Sequence, residues 1–352
     1  MTFTPGLTSI IVGCYNIASW LREKKLTNIL GQTYKQTEII LVDDGSTDDT
    51  PQLLQAMAAN EPRIRIITKE NGGLGSARNA GLDAANGEYI WFCDVDDDAD
   101  THLVEKNVEW MSAHQTEMNI FSFRATTPAQ HLTEDVIFEE LLVESNDDLH
   151  DIFLDKLFFV RYGNGFAWNK FYNRQFIEKH GFRFGNQRIQ QDELFNLQLY
   201  PSLQRVYISS EPLYHYYIYK QGNTRSRYIP NRYDIYLSIF EGINHFSEKW
   251  HLHDTRLKDH VCRRLFDGLS QSILFNTFHP DSPLNKNQKK KEIMRILEDP
   301  SAKTCVEYMA QYQAGGIECQ LYLKAFQHKS YLGICFLRNF FTVLRKMKSH
   351  LK

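Results

Sequence analysis

Short apolar runs alternate with segments of helical spacing through the first 125 residues, and this alternation constrains the fold more than any other feature. The runs have strand length and span residues 7–12, 38–42, 63–68, 88–93 and 119–123. Strands that alternate with helices are joined by right-handed crossovers and form a mostly parallel sheet. The sequence therefore predicts an α/β fold with a doubly wound sheet, which binds ligands at the carboxyl ends of its strands.

The rest of the chain is less regular. Residues 151–182 are rich in aromatic side chains, and residues 205–210 and 213–219 have the pattern of two further strands. From residue 229 onward the spacing of apolar residues is helical. A chain of 352 residues has the length of one large domain with an appendage, or of two domains. We expect an α/β domain over residues 1–228 and a helical region over 229–352.

Composition and charge exclude several classes of protein. Forty basic residues against 43 acidic ones give a net charge of −3, whereas a nucleic-acid binder should carry a positive excess. None of the six cysteines lies in a CxxC pair, which argues against zinc ribbons and thioredoxin-like sites. The N-terminus lacks the charged and apolar regions of a signal peptide, and no apolar stretch reaches about 18 residues. We therefore expect a cytoplasmic protein without a nucleic-acid partner.

Polar residues follow the first, second and fourth predicted strands. Cys14-Tyr15-Asn16 comes after the first strand, residues 43–48 (DDGSTD) after the second, and residues 94–100 (DVDDDAD) after the fourth. Five aspartates within residues 94–100 repel one another, and a hard cation would remove that repulsion. Carboxylate oxygens suit Mg²⁺ or Mn²⁺, which commonly bridge one or two carboxylates to substrate phosphates. The pattern indicates a nucleoside diphosphate as ligand.

Two other interpretations of the acidic turns stay open. Exposed turns and helix N-caps are also rich in aspartate. We favour that interpretation for Asp48, Asp49, Asp98 and Asp100. A calcium-binding EF-hand loop fits the acidic spacing of residues 94–105, but Ala99 occupies the position where the sharp turn needs glycine.

A glycine-rich turn, GGLGSARN, occupies residues 72–79 between a predicted strand and a helix. It begins like GxGxxG, but Arg78 stands at the third glycine position, so the dinucleotide-binding pattern fails. There is no GKS or GKT sequence of a Walker loop. The turn is predicted to be flexible, with Arg78 near a helix N-terminus and able to reach a phosphate. A plain helix cap with a surface arginine is the alternative.

Taken together and in chain order, these segments resemble glycosyltransferase family 2 enzymes of the GT-A fold. The resemblance is close over residues 7–125 and looser up to about residue 225. The close match consists of SIIVGCYN, GQTYKQTEIILVDDGSTDDT, NGGLGSARNAGL and GEYIWFCDVDD, and the looser one of AWNKFYNRQFI, QDELF and YHYYIYK. Each piece alone is weak, whereas the ordered set at these spacings is specific.

The resemblance implies a GT-A-like catalytic domain over residues 1–228, with a nucleotide-sugar half at 1–125 and an acceptor half at 126–228. Two motifs depart from the family pattern. Gly13-Cys14 stands where the first turn usually begins with proline, and Gln191-Asp192 stands where the family often has Glu-Asp.

For the nucleotide, the resemblance implies that Asp44 reads the base and that Tyr15 and Asn16 line the same pocket. Arg78 is expected beside the phosphates. On the acceptor side, Trp168 and Lys170 belong to the AWNK-like segment. Trp168 either stacks on a sugar ring or belongs to an aromatic core.

For the chemistry, Asp94, Asp96 and Asp97 correspond to the DxD region. Asp94 and Asp96 are expected to contact the nucleotide-sugar, and Asp96 and Asp97 to hold Mn²⁺ or Mg²⁺. Asp192 resembles the general base of an inverting enzyme. It also begins a helical segment, DELFNLQLY, whose dipole favours the ionised carboxylate, and a helix N-cap is a compatible alternative.

The resemblance thus predicts a metal-dependent inverting glycosyltransferase that uses a nucleotide-sugar, with UDP as the expected nucleotide. Its acceptor would be a growing surface glycan of the capsule, lipopolysaccharide or exopolysaccharide kind, or a lipid-linked oligosaccharide. A sugar nucleotidyltransferase and a non-catalytic module that binds carbohydrate or calcium are the alternatives. The oligomeric state is left open, a homodimer included.

The C-terminal segment 331–352, YLGICFLRNFFTVLRKMKSHLK, has the pattern of a basic amphipathic helix. Such a helix lies on an anionic membrane surface, or it packs its apolar face on the protein. The first alternative would place the protein on the inner face of the cytoplasmic membrane.

Overall fold

The computed structural model describes residues 3–24, 26–160, 165–187, 189–219, 227–312 and 315–350. The chain forms two compact units, Met1–Lys220 and Gln221–Lys352. The first unit is an α/β structure built around one sheet, and the second is helical in its described part. The predicted α/β fold with a mostly parallel sheet and a helical C-terminal region is confirmed.

The sheet of the first unit contains ten strands among the described residues. They are β1 (Thr4–Cys14), β2 (Thr37–Asp43), β3 (Ile64–Thr68), β4 (Gly87–Cys93), β5 (Asp98–Ala99), β6 (Met118–Thr127), β7 (Leu132–Val136), β8 (Leu141–Val143), β9 (Lys170–Asn173) and β10 (Val206–Tyr217). Their order is β3-β2-β1-β4-β9-β6-β10-β5, and β7 pairs with β6 while β8 pairs with β10. Strands β3, β2, β1 and β4 are parallel, as are β6 and β10.

Strand β9 is the main difference from the predicted sheet. It runs antiparallel to both of its neighbours, β4 and β6, and so separates the two parallel groups. Its residues Lys170, Phe171 and Tyr172 are all fully buried, so buried and exposed positions do not alternate along the strand. A buried segment of four residues carries too little periodicity to be recognised as a strand.

The last part of the sheet also differs from prediction. The two strands expected at 205–210 and 213–219 form one long strand, β10, whose register with β6 shifts around Pro212. Proline has no N–H to donate to the ladder, and an irregularity at that point lets the strand continue. The continuous strand carries its aromatic residues to the same edge as the end of β4.

The described helices of the first unit connect these strands. They are α1 (Ala18–Lys24), α2 (Thr27–Leu30), α3 (Thr50–Ala58), α4 (Leu74–Ala84), α5 (Leu103–His114), α6 (Asn146–Ile152), α7 (Arg174–His180) and α8 (Gln191–Leu199). Between β1 and β2 the chain forms two short helices, α1 and α2, with Leu26 at φ +53° between them. Helix α4 lies close to β1 at Gly81, where an added Cβ atom would be only 2.3 Å from the Ile11 side chain.

The described helices of the second unit are α9 (Arg232–Lys249), α10 (Thr255–Gln271), α11 (Lys286–Glu298), α12 (Pro300–Gln311), α13 (Ile317–Gln327) and α14 (Tyr331–His350). They pack around a shared apolar core that includes Leu265, Leu269, Ile296 and Leu323. Among the described residues, no helix combines the length and the apolar character needed to cross a bilayer.

Candidate active site

The predicted site residues after β1, β2 and β4 meet at one edge of the sheet. These strands are parallel neighbours, and their register pairs Cys14 with Asp43 and Val12 with Cys93. The turns that follow them therefore begin side by side, as the carboxyl ends of adjacent parallel strands must. The first turn is tied to the second, since Asn16 accepts a hydrogen bond from the Thr47 N–H at 2.8 Å and donates its own N–H to Ser46 Oγ at 3.0 Å.

Asp44 lies in a cradle formed by the glycine-rich turn. Its carboxylate accepts hydrogen bonds from the N–H groups of Gly72 at 3.0 Å and Gly73 at 2.7 Å. Lys69 Nζ lies 2.8 Å from the same carboxylate. Asp44 is 3% exposed, so these donors hold a buried negative charge in place. The glycine-rich turn thus binds Asp44 in this structure.

Tyr15 and Asn16 are both exposed beside this cradle. The Tyr15 side chain is 49% exposed, which is high for a large aromatic residue. Asn16 adopts φ +52°, a left-handed conformation that asparagine tolerates better than most residues. The structure therefore brings Tyr15, Asn16 and Asp44 to one edge, and their roles in nucleotide binding stay predictions.

The acidic turn after β4 is anchored by the end of β10. The Tyr214 hydroxyl group donates a hydrogen bond to Asp97 at 2.9 Å and accepts one from the Asp94 N–H at 3.3 Å. The Tyr217 N–H donates to the other Asp97 oxygen at 2.8 Å. Asp97 is only 2% exposed, and burial together with the charges of Asp94 and Asp96 raises its pKa to about 9. In this structure the Asp97 carboxylate orients the turn. Its predicted metal role stays a prediction.

The same turn has the donor chemistry of a divalent cation site. Asp96 is partly buried and lies close enough to Asp94 and Asp97 to raise the pKa of both. In the described ranges, no three acidic, histidine or cysteine side chains are grouped so that they alone could hold a metal ion. Mg²⁺ usually needs only one or two protein carboxylates, because substrate phosphates and water complete its shell. The turn fits an ion that is bound together with a diphosphate.

Arg78 connects the acidic turn to the predicted general base. Its guanidinium group donates to Asp94 Oδ1 at 2.7 Å and, through its other terminal nitrogen, to Asp192 Oδ1. Arg78 is 1% exposed, and its charge lies 5.5 Å from the ring centre of Phe184. Burial raises the pKa of Asp94 to about 6 against the opposing effect of Arg78. Arg78, expected beside a phosphate, thus has a carboxylate at each end of its guanidinium group.

Asp192 is held from both sides at the start of α8. While one carboxylate oxygen faces Arg78, the other accepts the Ala167 N–H at 3.1 Å. One helical turn later, the Asn196 amide group donates to the carbonyl groups of Gly165 and Phe166, each at 3.0 Å. The side chain of Asp192 keeps 17% of its surface exposed. Asp192 is thus fixed in direction but open to an incoming group.

Trp168 and Lys170 are buried beneath this edge. Trp168 is 1% exposed and stacks on Tyr214, with ring centres 4.4 Å apart, and on Phe166 at 4.6 Å. Lys170 Nζ donates to the Phe166 carbonyl group at 2.5 Å and to Asn169 Oδ1 at 2.9 Å, and burial lowers its pKa. The structure places both residues under the segment that contacts Asp192. Their predicted acceptor-side roles stay predictions.

Two site residues were not predicted from the sequence. Tyr214 supports Asp94 and Asp97 from a strand more than one hundred residues away. It begins the YHYYIYK segment of the resemblance, but no role was predicted for it. Asn196 had a weaker signal, because it lies four residues after Asp192 and therefore on the same helix face. Both act by positioning the carboxylates that the sequence did identify.

Comparisons with known proteins identify relatives of this chain. The family model "Glycosyl transferase family 2" matches residues 9–193. The putative glycosyltransferase EpsH of Bacillus subtilis is 30% identical over 241 residues, which cover 68% of each chain. The uncharacterized glycosyltransferase EpsJ of the same organism is 31% identical over 232 residues, or 64% of each chain.

A solved structure shares the fold. S. aureus TarS 1–349, crystallised in complex with UDP-GlcNAc, matches with a TM-score of 0.59 and 18% sequence identity, over 95% of this chain and 91% of that one. The family model covers more than half of the chain, which confirms the predicted enzyme class, a glycosyltransferase. The two alternatives, a nucleotidyltransferase and a non-catalytic module, are not supported. The chain belongs to glycosyltransferase family 2 and has the α/β fold of the GT-A-like enzymes.

Proposed function

We propose that this chain is an inverting glycosyltransferase that moves a sugar from a UDP-sugar to a hydroxyl group of a growing surface glycan. The observation that carries the proposal is the shared contact of Asp94 and Asp192 with Arg78. It joins the candidate base to the acidic turn where a diphosphate would bind. One carboxylate facing the acceptor is sufficient for a single displacement at the anomeric carbon.

The reaction follows from these positions. The acceptor oxygen attacks the anomeric carbon while the bond from that carbon to the diphosphate breaks. Asp192 takes the proton of the acceptor hydroxyl group, a role that contributes roughly 10²–10⁴-fold to the rate. Arg78 and the Ala167 N–H keep the Asp192 carboxylate pointing in one direction during this transfer. Inversion follows because the acceptor and the leaving group lie on opposite sides of the sugar.

We propose Asp96 as a protein ligand of a Mn²⁺ or Mg²⁺ ion. Such an ion, when bound, would stabilise the negative charge that develops on the departing nucleoside diphosphate. Asp94 keeps its hydrogen bond to Arg78, and Asp97 keeps the turn in place through Tyr214. Asp44, with Tyr15 and Asn16, would contact the nucleoside.

Two relatives guide the choice of substrates. S. aureus TarS was crystallised with UDP and with UDP-GlcNAc, which makes UDP-sugars the first donors to test. A chondroitin synthase of Escherichia coli is 39% identical over 99 residues, and its name supports a polysaccharide acceptor. We propose a glycan or a lipid-linked oligosaccharide as acceptor.

A screen of nucleotide-sugars tests the proposal. The full chain is incubated with each sugar donor and Mn²⁺, and the release of the nucleoside diphosphate is measured with and without a panel of oligosaccharide acceptors. We expect turnover of a UDP-sugar and a product with inverted anomeric configuration, read by NMR. Retention of configuration would contradict the role of Asp192, and turnover of only non-UDP donors would contradict the choice of nucleotide.

A further inference from the structure

Helix α14 carries apolar side chains on two faces. On its inner face, Ile334, Leu337 and Phe341 pack against the core of the second unit. A second set lies four, four and three residues apart and is largely exposed. This set, the outer stripe, consists of Leu332 (79% exposed), Phe336 (67%), Phe340 (46%) and Val343 (56%). The helix thus packs on the unit and still presents a further apolar surface.

The outer stripe is not explained by the folding of the second unit. A surface helix normally has one apolar face, directed at the core, and polar residues on the opposite face. In α14 the spacing of the stripe keeps its four side chains along one line of the helix. The rings of Phe336 and Phe340 lie nearly parallel, with their centres 6.2 Å apart. Contiguous exposed apolar surface of this kind marks an interaction site.

The charge of the segment favours an anionic partner. Residues 331–352 contain five lysines and arginines and no aspartate or glutamate, although the whole chain has a net charge of −3. Arg338 is directed inward, where it donates to the Leu274 carbonyl group at 3.1 Å. Arg345 is 56% exposed and pairs with Glu318. The remaining positive charge comes from lysines at the end of the chain, whose side chains lie outside the described residues.

This charge separates two kinds of occupant. A second copy of the chain, docked stripe to stripe, would bring two segments of the same positive charge together. An anionic lipid surface offers apolar tails for the stripe and negative headgroups for the cations. Helices with this combination lie in the plane of the membrane interface.

We propose that the outer stripe of α14 binds the surface of membranes that contain anionic lipids. The apolar side chains insert at the level of the headgroups, and the net positive charge of residues 331–352 attracts the anionic lipids. The inner face keeps its contacts with the second unit during binding. This surface is independent of the glycosyl transfer proposed above.

Vesicle sedimentation tests the proposal with the full chain. Wild-type protein is mixed with vesicles of phosphatidylcholine and phosphatidylglycerol, or of phosphatidylcholine alone, and the bound fraction is measured at low and high salt. The test variant is Phe336→Ala with Phe340→Ala. The matched control is Leu132→Ala with Ile137→Ala, which removes two other exposed apolar side chains, 46% and 54% exposed, from the first unit. Circular dichroism checks that each variant is folded.

We expect wild type and control to bind the anionic vesicles, less at high salt and less to neutral vesicles. The test variant should lose at least about tenfold in partition coefficient, because two aromatic side chains no longer insert. Binding by the test variant equal to wild type would overturn the proposal. Failure of the wild type to bind would also overturn it. So would light scattering that shows a wild-type dimer which the test variant loses and the control keeps. Donor hydrolysis by the test variant should equal that of wild type, so this result is separate from the proposed function.

Discussion

Asp94 and Asp192 each accept a hydrogen bond from a different terminal nitrogen of the Arg78 guanidinium group. The first carboxylate follows β4 and the second begins α8, so the contact joins two segments that are far apart in the sequence. The acidic turn and the carboxylate proposed as the base therefore both contact one buried cation.

Replacing Asp192 with asparagine should remove the base while preserving the shape of the side chain. We expect the rate of transfer to fall by about 10²-fold or more, because the acceptor proton then has no carboxylate to receive it. UDP affinity, measured by calorimetry, should change little. The matched control is Glu193→Gln in the same helical turn, which should transfer at nearly the wild-type rate. Transfer by Asp192→Asn at the wild-type rate would show that another group accepts the proton.

Replacing Arg78 with methionine should destabilise the fold. The substitution leaves Asp94 and Asp192 facing each other without the cation between them, and their side chains are only 26% and 17% exposed. Loss of one member of a buried ionic group costs about 3 kcal/mol or more. Urea unfolding measures this change. Arg22→Met removes an exposed pair with Asp49 and should cost less than about 1 kcal/mol, so equal losses would contradict the buried role of Arg78.

Replacing Tyr214 with phenylalanine should loosen the acidic turn. Asp97 then loses the hydroxyl donor at 2.9 Å while it stays buried, which costs about 1–3 kcal/mol. We also expect weaker Mn²⁺-dependent binding of UDP, measured by calorimetry, since the Asp94 N–H loses its partner as well. Tyr207→Phe removes a hydroxyl group that donates to Glu140 at 2.8 Å, outside the acidic turn. Its UDP affinity should match wild type, and a similar loss in both variants would argue against a specific role of Tyr214.

Removal of divalent cations should abolish transfer. We expect EDTA to stop the reaction and added Mn²⁺ to restore it. Asp96→Asn should lower the Mn²⁺-dependent part of UDP affinity by at least about tenfold, because a carboxylate ligand is lost. Asp100→Asn is the control. Asp100 is exposed and accepts the His102 N–H at 2.8 Å, as expected of a turn residue that is not a metal ligand. Full activity in EDTA would contradict metal dependence, and an equal effect at both positions would contradict the assignment of Asp96.

Replacing Gly45 with alanine should disturb the Asp44 cradle. Gly45 has φ +74°, and an added Cβ atom would lie 2.8 Å from the Asn71 nitrogen. We expect a loss of about 1–3 kcal/mol in urea unfolding, together with weaker UDP binding. Gly316→Ala is the control, because that residue has φ −79° and no atom within 4 Å of an added Cβ. Wild-type stability of Gly45→Ala would contradict the strain inferred at this turn.

The strands and helices of the first 125 residues were predictable because their signals are local. A buried strand of the parallel sheet is a run of apolar residues, and β1, β2 and β4 lie within two or three residues of the predicted bounds. The end of each strand also marks where its turn begins. The prediction that Tyr15, Asn16, Asp44 and the 94–97 turn share one edge needed only the parallel order of these strands, which the structure confirms.

The parts that were missed depend on distant partners. Strand β9 is recognisable only by its pairing with β4 and β6, and Trp168 could be placed in the core only once Phe166 and Tyr214 were known to cover its ring. The tail was expected either to pack on the protein or to face a membrane. The structure shows its inner face packed, and its outer stripe exposed.

The sequence by itself determined the class of fold, the family and the identity of the carboxylates, because periodicity and motif order are written along the chain. Only the tertiary structure decided what those carboxylates contact. It placed Arg78 between Asp94 and Asp192, and Tyr214 beneath Asp97. The physical reason is that a buried charge must find opposite charges and hydrogen-bond donors nearby, and the chain supplies them from segments that are close only after folding.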